Sequence, residues 1–296
     1  HVQQVNGQHL TTQELAQLAA EFIRQPFDLA HELPVRMQCI QVGAQSAHLH
    51  IVMHHLVSDG WSIGVFMRDL VAAYQGATLT APDVQYRDFS LWQSALLRAG
   101  KGEQDLDYWR RETGATQPEK LFAWQGQVVP NQRREAAQIH HQLDIAERDA
   151  VSQMARQLNV TPSSLWLALW QTALHKQTGR SDVSVGMPMA NRERGEVSEL
   201  IGFFVNTMVI AQQMEPSQTL KHVAMSTHAK VLEAQQLQLL PFDQVVEHLV
   251  QERIAGETPL FQVLFNHQVS AVGSVQFAPG LHATPLSGQG QFALFD

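Results

Sequence analysis

The sequence predicts a protein of mixed helices and strands that is divided into two α/β lobes. Segments in which apolar and polar residues alternate, as in strands, and segments with apolar residues three or four positions apart, as in helices, occur in both halves of the chain. Between the halves, residues 101–138 are rich in Gly, Gln, Pro and charged residues, which is typical of a linker. With 296 residues available, we place the lobes at residues 1–125 and 126–296.

In the first half, two predicted strands lie between predicted helices. Thr11 followed by Glu14 is typical of a helix start. Apolar residues alternate from Leu49 to Met53, so this strand should have one apolar face. The predicted elements are a helix at 11–22, strands at 36–42 and 47–53, a helix at 62–74, and a helix at 88–97 that Asp88 would cap.

The second half also mixes the two patterns. Pro162 stands at the first position of a helix, where its missing N–H costs nothing, and the apolar residues of that helix cover a broad, mostly buried face. The tail after Ser270 carries little regular signal. The predicted elements are strands at 138–143, 183–187, 204–210 and 261–267, and helices at 147–158, from 162 onward, at 220–237 and at 243–249.

Composition excludes several classes of function. A hydrophobic fraction of 44% indicates a globular protein, and a formal net charge of −8 with scattered basic residues leaves no basic stripe for nucleic acid. No apolar run is long enough to cross a bilayer and no signal peptide is recognisable, so we expect a cytoplasmic protein without a membrane partner. The single cysteine, Cys39, rules out an internal disulfide. Because the first residue is not Met, we expect a piece of a longer polypeptide.

The sharpest lead to function is a histidine pair where a predicted strand ends. His54 and His55 are followed by Asp59 and Gly60. A neutral imidazole, whose ordinary pKa is about 6.5, can accept a proton near pH 7. Asp59 could orient an imidazole, cap the next helix or pair with an arginine. The alternatives are plain packing of the histidines or a zinc site, and the lack of a His-x-x-x-His or Cys pair argues against a metal.

At these residues the chain resembles the condensation domains of nonribosomal peptide synthetases. His54 to Gly60 matches the family signature His-His-x-x-x-Asp-Gly. Further motifs occur in the family's order and span nearly the whole chain. They are Pro26-Phe27-Asp28-Leu29, Tyr86-Arg87-Asp88-Phe89-Ser90-Leu91-Trp92, Ile201-Gly202-Phe203-Phe204-Val205-Asn206-Thr207, Pro241-Phe242-Asp243, and Arg253 with Pro259-Leu260-Phe261.

The resemblance implies a fold, an activity and partners. The fold would be two chloramphenicol acetyltransferase-like lobes of the α+β sandwich type, forming a V around a central tunnel. The activity would be amide formation between a donor aminoacyl or peptidyl thioester and an acceptor aminoacyl thioester. Phosphopantetheine arms of upstream and downstream peptidyl carrier protein domains would present these substrates beside an adenylation domain, and the domain itself would bind no cofactor.

The resemblance also implies roles for five residues. His55 would contact the acceptor amine, either as a base or as a group that positions the amine and stabilises the charged intermediate. His54 would be structural. Asp59 would hold the site together by pairing with Arg192, which we expect from the second lobe. Gly60 would allow close approach of the backbone, and its N–H would help to bind the oxyanion.

The chain departs from the family pattern at several points. The first family motif is absent and the tail stops early, so we expect truncation at both ends. Four positions carry unusual residues for the family: Glu32, Ala211, Leu239 and Ile254. The alternatives are an epimerisation domain, a dual epimerisation and condensation domain, a free-standing CoA-dependent acyltransferase, or a non-catalytic carrier-docking module. Retention of the histidine motif and the sequence Gly60-Trp61-Ser62 favour condensation.

Overall fold

The computed structural model describes residues 2–114, 137–250, 258–268 and 275–286. Two units make up the chain: residues 1–86 with 192–204, and residues 87–191 with 205–296. The predicted lobe boundary at 125/126 lies outside the described residues. The division of the described residues differs from that prediction, because 87–114 belong to the second unit and 192–204 to the first.

The first unit is built on a three-stranded sheet in the order β1-β2-β3, with β1 parallel to β2 and β2 antiparallel to β3. Strand β1 was not predicted, whereas the two predicted strands and two predicted helices are confirmed. A 3-10 helix, Gly195–Val197, lies in the inserted segment 192–204. The regular elements are β1 Val2–Asn6, α1 Thr12–Arg24, β2 Val35–Gly43, β3 Ser46–Met53 and α2 Gly60–Tyr74.

The two faces of this sheet differ in burial. Leu49, on the predicted apolar face, is 44% exposed. On the opposite face Ile40 and Gln38 are buried, and His50 pairs with Gln38 across β2 and β3. A Cβ on Gly7 would lie 2.6 Å from the Ile40 side chain and 3.1 Å from Leu15 of α1, so helix α1 lies close to this face. The sheet therefore buries a face that carries polar side chains.

The second unit contains most of the helices among the described residues. Strands β4 and β5 pair antiparallel, and β6 and β7 form a short hairpin in the tail where little regular structure was expected. The first residue of α3 belongs to the first unit. The elements are α3 Tyr86–Arg98, α4 Glu103–Thr113, α5 Ile145–Leu158, α6 Pro162–Thr178, β4 Asp182–Met189, β5 Asn206–Gln213, α7 Leu220–Gln236, α8 Phe242–Leu249, β6 Val275–Ala278 and β7 Leu281–Ala283.

Several predictions in this half were wrong. Helix α4 lies inside the predicted linker, because Leu106 and Trp109 form a buried stripe that a polar composition concealed. Residues 138–143 form no strand, and almost all of their side chains are exposed. Among the described residues, 261–267 form no regular strand and contribute one parallel bridge, Leu264 to Gly186. Asp88 lies in the first turn of α3 and does not cap it, since the helix begins at Tyr86.

The core of the second unit is apolar. Family motifs that lie far from the histidines in the sequence meet in this core. Phe261 packs on β4 so closely that a Cβ on Gly186 would lie 2.5 Å from its ring, and its centroid is 5.5 Å from that of Phe242. The Asn206 side chain donates to the carbonyls of Gln238 and Leu240 at 2.8 and 2.7 Å. Its Oδ1 accepts the N–H groups of Thr207 and Phe242, each at 3.0 Å.

Within the described ranges, none of the helices combines the length and the apolar character that crossing a bilayer would require.

Candidate functional site

The histidine motif forms the turn between β3 and α2. Strand β3 ends at Met53, and the His54 N–H donates to the Pro34 carbonyl at 2.9 Å. Asp59 has extended backbone angles and caps α2, since its carboxylate accepts the N–H of Ser62 at 2.8 Å. The cap therefore fixes the direction in which the motif leaves the sheet.

Asp59 is also half of a buried ion pair. Its Oδ1 lies 3.1 Å from the guanidinium of Arg192, and the two side chains are 2% and 1% exposed. The Ser62 hydroxyl lies 2.7 Å from Asp59 Oδ1, and the Phe204 N–H donates to Oδ2 at 3.0 Å. Because both carboxylate oxygens accept several donors, the charge is compensated despite its burial.

Arg192 also has several hydrogen-bond and ring contacts besides the ion pair. It donates to the carbonyls of Val197 and Leu200 at 2.7 and 2.8 Å, and its guanidinium lies 4.0 Å from the centroid of the Phe204 ring. Burial lowers the pKa of Arg192, and the charge of Asp59 and its hydrogen bond oppose that change. Its Nε has no hydrogen-bond partner within the described residues. The expected pairing is present, but Arg192 belongs to the first unit, so its predicted place in a second lobe was wrong.

The segment 192–204, which contains Arg192, is fastened to α2 at further points. The Ser62 hydroxyl lies 2.9 Å from the carbonyl oxygen of Gly202 and accepts the Gly202 N–H at 3.0 Å. The indole of Trp61 donates to the Ser198 carbonyl at 2.8 Å, and Arg68 forms a salt bridge with Glu199. Helix α2 and the segment 192–204 are thus joined by hydrogen bonds and a salt bridge at several points.

His55 is the exposed histidine of the pair. Its Nδ1 lies 2.7 Å from the carbonyl oxygen of Ser58. Since a carbonyl can only accept, Nδ1 carries the proton, and Nε2 of the neutral ring keeps its lone pair. The ring also packs in a T-shape against Phe203, with centroids 5.0 Å apart and an angle of 79° between the planes. This arrangement leaves a proton acceptor at the surface of the motif.

His54 has a different environment. Its Nδ1 accepts the Leu56 N–H at 3.0 Å, and its ring packs edge-on against Phe27 at 5.8 Å. Arg36 covers Phe27 at 4.0 Å and forms a salt bridge of 2.7 Å with Glu32. Glu32, one of the departures from the family pattern, is therefore linked through Arg36 and Phe27 to the ring of His54.

Gly60 is the first residue of α2 and is exposed. The N–H groups in the first turn of a helix have no acceptor within the helix, and the helix dipole is positive at this end. The Gly60 N–H lies in this first turn, at the positive end of the α2 dipole.

Two further residues shape the site and were missed from the sequence. Ser62 contacts Asp59, and Arg192 donates to its hydroxyl at 3.0 Å. The Tyr86 hydroxyl donates to the Phe203 carbonyl at 2.8 Å, and a Cβ on Gly202 would lie 2.5 Å from the Tyr86 ring. Burial, and the nearby charge of Asp59, raise the pKa of Tyr86. Ser62 follows the histidine motif and Tyr86 begins another family motif, and this placement was the signal that the sequence offered for their roles.

No cluster of three His, Cys, Asp or Glu side chains with the geometry for a metal ion occurs in the parts of the chain that the structure describes. Arg253 and Ile254 lie outside the described residues.

Comparisons with known proteins identify the family. A family model described as Condensation domain matches residues 1–280. Chondramide synthase cmdD of Chondromyces crocatus is 34% identical over 267 residues, which cover 88% of this chain and 7% of that protein. Cyclosporin synthetase simA of Tolypocladium inflatum is 32% identical over 262 residues, which cover 85% and 2%. The solved condensation domain from monacolin K polyketide synthase MokA is 26% identical with a TM-score of 0.74, and the match covers 89% of this chain and 62% of that one. The chain therefore belongs to the condensation domain family.

Proposed function

We propose that this condensation domain joins a donor acyl thioester to the amine of an acceptor aminoacyl thioester. One observation carries the proposal. An exposed imidazole, His55, has Nδ1 occupied by the Ser58 carbonyl, which leaves Nε2 as its proton acceptor, and it lies in the turn that leads into helix α2 at Gly60. A proton acceptor next to backbone N–H donors is the arrangement that acyl transfer to an amine requires.

The proposed reaction uses the proton acceptor of His55. The acceptor nitrogen attacks the thioester carbonyl carbon, and Nε2 of His55 takes the proton that the nitrogen loses as the C–N bond forms. The C–S bond then breaks, and the proton passes from His55 to the departing thiolate, giving a thiol and an amide. A free α-amine has an ordinary pKa of about 7.7–8.0, so a fraction is neutral at pH 7 and the demand on the base is modest.

The charge that develops on the carbonyl oxygen needs a donor in place before the reaction. The N–H of Gly60, at the positive end of α2, is our candidate. Asp59 does not transfer protons in this mechanism, since its carboxylate is buried and occupied by Arg192, Ser62 and Phe204. Asp59 and Arg192 instead fix the helix end that carries the donor.

The substrates and partners are also part of the proposal. The chain spans 7% of the chondramide synthase and 2% of the cyclosporin synthetase, which leaves room in such proteins for other domains. We propose that phosphopantetheine arms of upstream and downstream peptidyl carrier domains present the two thioesters, that an adenylation domain is adjacent, and that the domain binds no cofactor of its own. The V-shaped pair of lobes with a tunnel, and a cytoplasmic location, remain predictions.

A single-turnover assay in the intact parent module tests the function. Donor and acceptor are loaded on their carriers, and mass spectrometry follows the mass of the downstream carrier in the wild type, in His55→Ala and in the control His9→Ala, which removes an exposed histidine outside the motif. We expect the wild type and the control to form peptidyl product alike, and the rate of His55→Ala to fall about 10²–10⁴-fold.

The other outcomes are equally informative. If His55→Ala makes product as fast as the wild type, condensation stands and His55 loses its role. If a folded wild type forms no product with several substrate pairs, the proposed activity is wrong.

A further inference from the structure

Phe203 is an exposed aromatic residue on an unusually well-fixed stretch of backbone. Its side chain is 39% exposed, although the residues on either side of it, Gly202 and Phe204, are buried. Part of this ring is therefore open to solvent, and the neighbours that it does contact decide what the ring can do.

Hydrogen bonds hold the backbone on both sides of this ring. The Gly202 N–H donates to the hydroxyl of Ser62 at 3.0 Å, and the Gly202 carbonyl oxygen lies 2.9 Å from the same hydroxyl. The carbonyl of Phe203 itself accepts the Tyr86 hydroxyl at 2.8 Å, and the N–H of Phe204 donates to Asp59 at 3.0 Å. The Phe203 ring therefore projects from a rigid base, and this base is made by the ion pair and its neighbours.

The Phe203 ring meets the imidazole of His55. The centroids lie 5.0 Å apart in a T-shaped arrangement, within the range that aromatic pairs prefer. His55 is exposed, and its ring is otherwise tied by the bond from Nδ1 to the Ser58 carbonyl. A half-turn of the ring about its Cβ–Cγ bond would break that hydrogen bond and point Nε2 elsewhere, and the packing against Phe203 adds a second contact that opposes such a turn.

We propose that Phe203 is a positioning residue for amide formation, whose ring holds the His55 imidazole in the orientation that keeps Nε2 free for the acceptor amine. The proposal rests on the proposed function for its catalytic part. Its structural part, the control of the His55 ring, stands independently and is measured without substrate.

Two measurements on Phe203→Ala, Phe203→Leu and Phe203→Tyr test the proposal. Long-range ¹H–¹⁵N NMR of the full chain with ¹⁵N-labelled histidine reports which nitrogen of His55 carries the proton, after assignment with His55→Gln. The single-turnover assay in the parent module reports the rate. The matched control is Ile201→Ala, which removes an equally exposed side chain, also 39%, from the same segment.

We expect the wild type, Phe203→Tyr and Ile201→Ala to keep the proton on Nδ1 and to react at similar rates. Phe203→Ala and Phe203→Leu should show His55 signals averaged between the two tautomers. Their rates should fall roughly 2- to 13-fold, which is the free energy of an aromatic pair expressed as a rate. If Phe203→Ala fails to fold, Phe203→Leu carries the test, since it keeps an apolar side chain and removes the ring.

An unchanged His55 signal in a folded Phe203→Leu overturns the proposal whatever the rate. A changed signal with an unchanged rate overturns the catalytic part. A changed signal in a protein whose wild type forms no product supports the control of the ring and overturns the proposed function instead.

Discussion

Two polar clusters, one in each unit, bind distant backbone segments with different chemistry. In the first unit the cluster is ionic: Asp59 and Arg192 bind main-chain groups of the segment 192–204. In the second unit the cluster is neutral: Asn206 binds four main-chain groups, including those of Gln238 and Leu240. Both connect parts of the chain that are far apart in sequence, and both are built from family motifs.

The two clusters differ in what is left unsatisfied when one partner is removed. A buried amide that loses its partners leaves neutral groups unsatisfied, whereas a buried carboxylate that is removed leaves a charge without compensation. Removing one partner from the ionic cluster is therefore expected to lower the stability of the fold more than removing one partner from the neutral cluster. The ionic cluster holds the segment 192–204 against helix α2, which begins beside His55 at Gly60.

The largest effect should come from breaking the ion pair. Asp59→Asn leaves Arg192 buried without its counter-charge, and we expect the free energy of unfolding of the full chain to fall by about 3–5 kcal/mol. Urea unfolding followed by circular dichroism measures it. The control is Asp69→Asn, which removes a half-exposed carboxylate from the same helix and should cost about 1 kcal/mol or less. Equal losses in the two variants would refute the ranking.

A smaller effect is expected from the neutral cluster. Asn206→Ala removes four hydrogen bonds and leaves buried carbonyl and N–H groups without a partner, so we expect a loss of about 1–3 kcal/mol in the free energy of unfolding. Gln213→Ala, at the exposed end of the same strand, is the control and should change stability little. A loss for Asn206→Ala larger than that for Asp59→Asn would reverse the comparison between the units.

The smallest effect concerns the buried polar face of the first sheet. Burial, with a contribution from the neighbouring His48, lowers the pKa of His50. The folded protein therefore binds fewer protons at this site than the unfolded chain, and its contribution to stability is present above about pH 6.5 and declines as the pH falls below that value.

Unfolding midpoints in urea at pH 8, 7, 6 and 5.5 measure this dependence. We expect His50→Gln, which can still hydrogen-bond Gln38, to lose less stability on acidification than the wild type. His9→Gln, which changes an exposed histidine, should follow the wild type. A wild-type pH dependence in His50→Gln would show that other groups cause the decline.

The sequence predicted the parts of this site that are local. The turn from His54 to Gly60, the capping of α2 by Asp59 and the strands before it follow from periodicity and a short motif. The pairing of Asp59 with Arg192 came from family resemblance, because 133 residues separate the two in the chain. No periodic pattern reports a contact over such a distance.

The residues and elements that were missed or wrongly predicted also depend on tertiary contacts that a local pattern does not report. Ser62 and Tyr86 contact main-chain groups 140 and 117 residues away, so their roles depend on tertiary structure. Helix α4 was hidden because only Leu106 and Trp109 of its residues are buried, and the rest are mostly polar. The predicted strand at 138–143 has only Ile139 and Leu143 as apolar residues, and within the described residues it is almost entirely exposed and forms no strand.

The distance in sequence between Asp59 and Arg192 also sets an order of events during protein synthesis. A ribosome working at about 5–20 residues per second needs roughly 7–27 s to add the 133 residues that separate the two. Throughout that interval the nascent chain carries the complete histidine motif without the arginine that neutralises its carboxylate. The cap of α2 by Asp59 can form as soon as Ser62 has been added, whereas the burial of the Asp59 carboxylate requires Arg192 and Phe204. The turn that carries the histidines is thus made well before the segment that gives it its final surroundings.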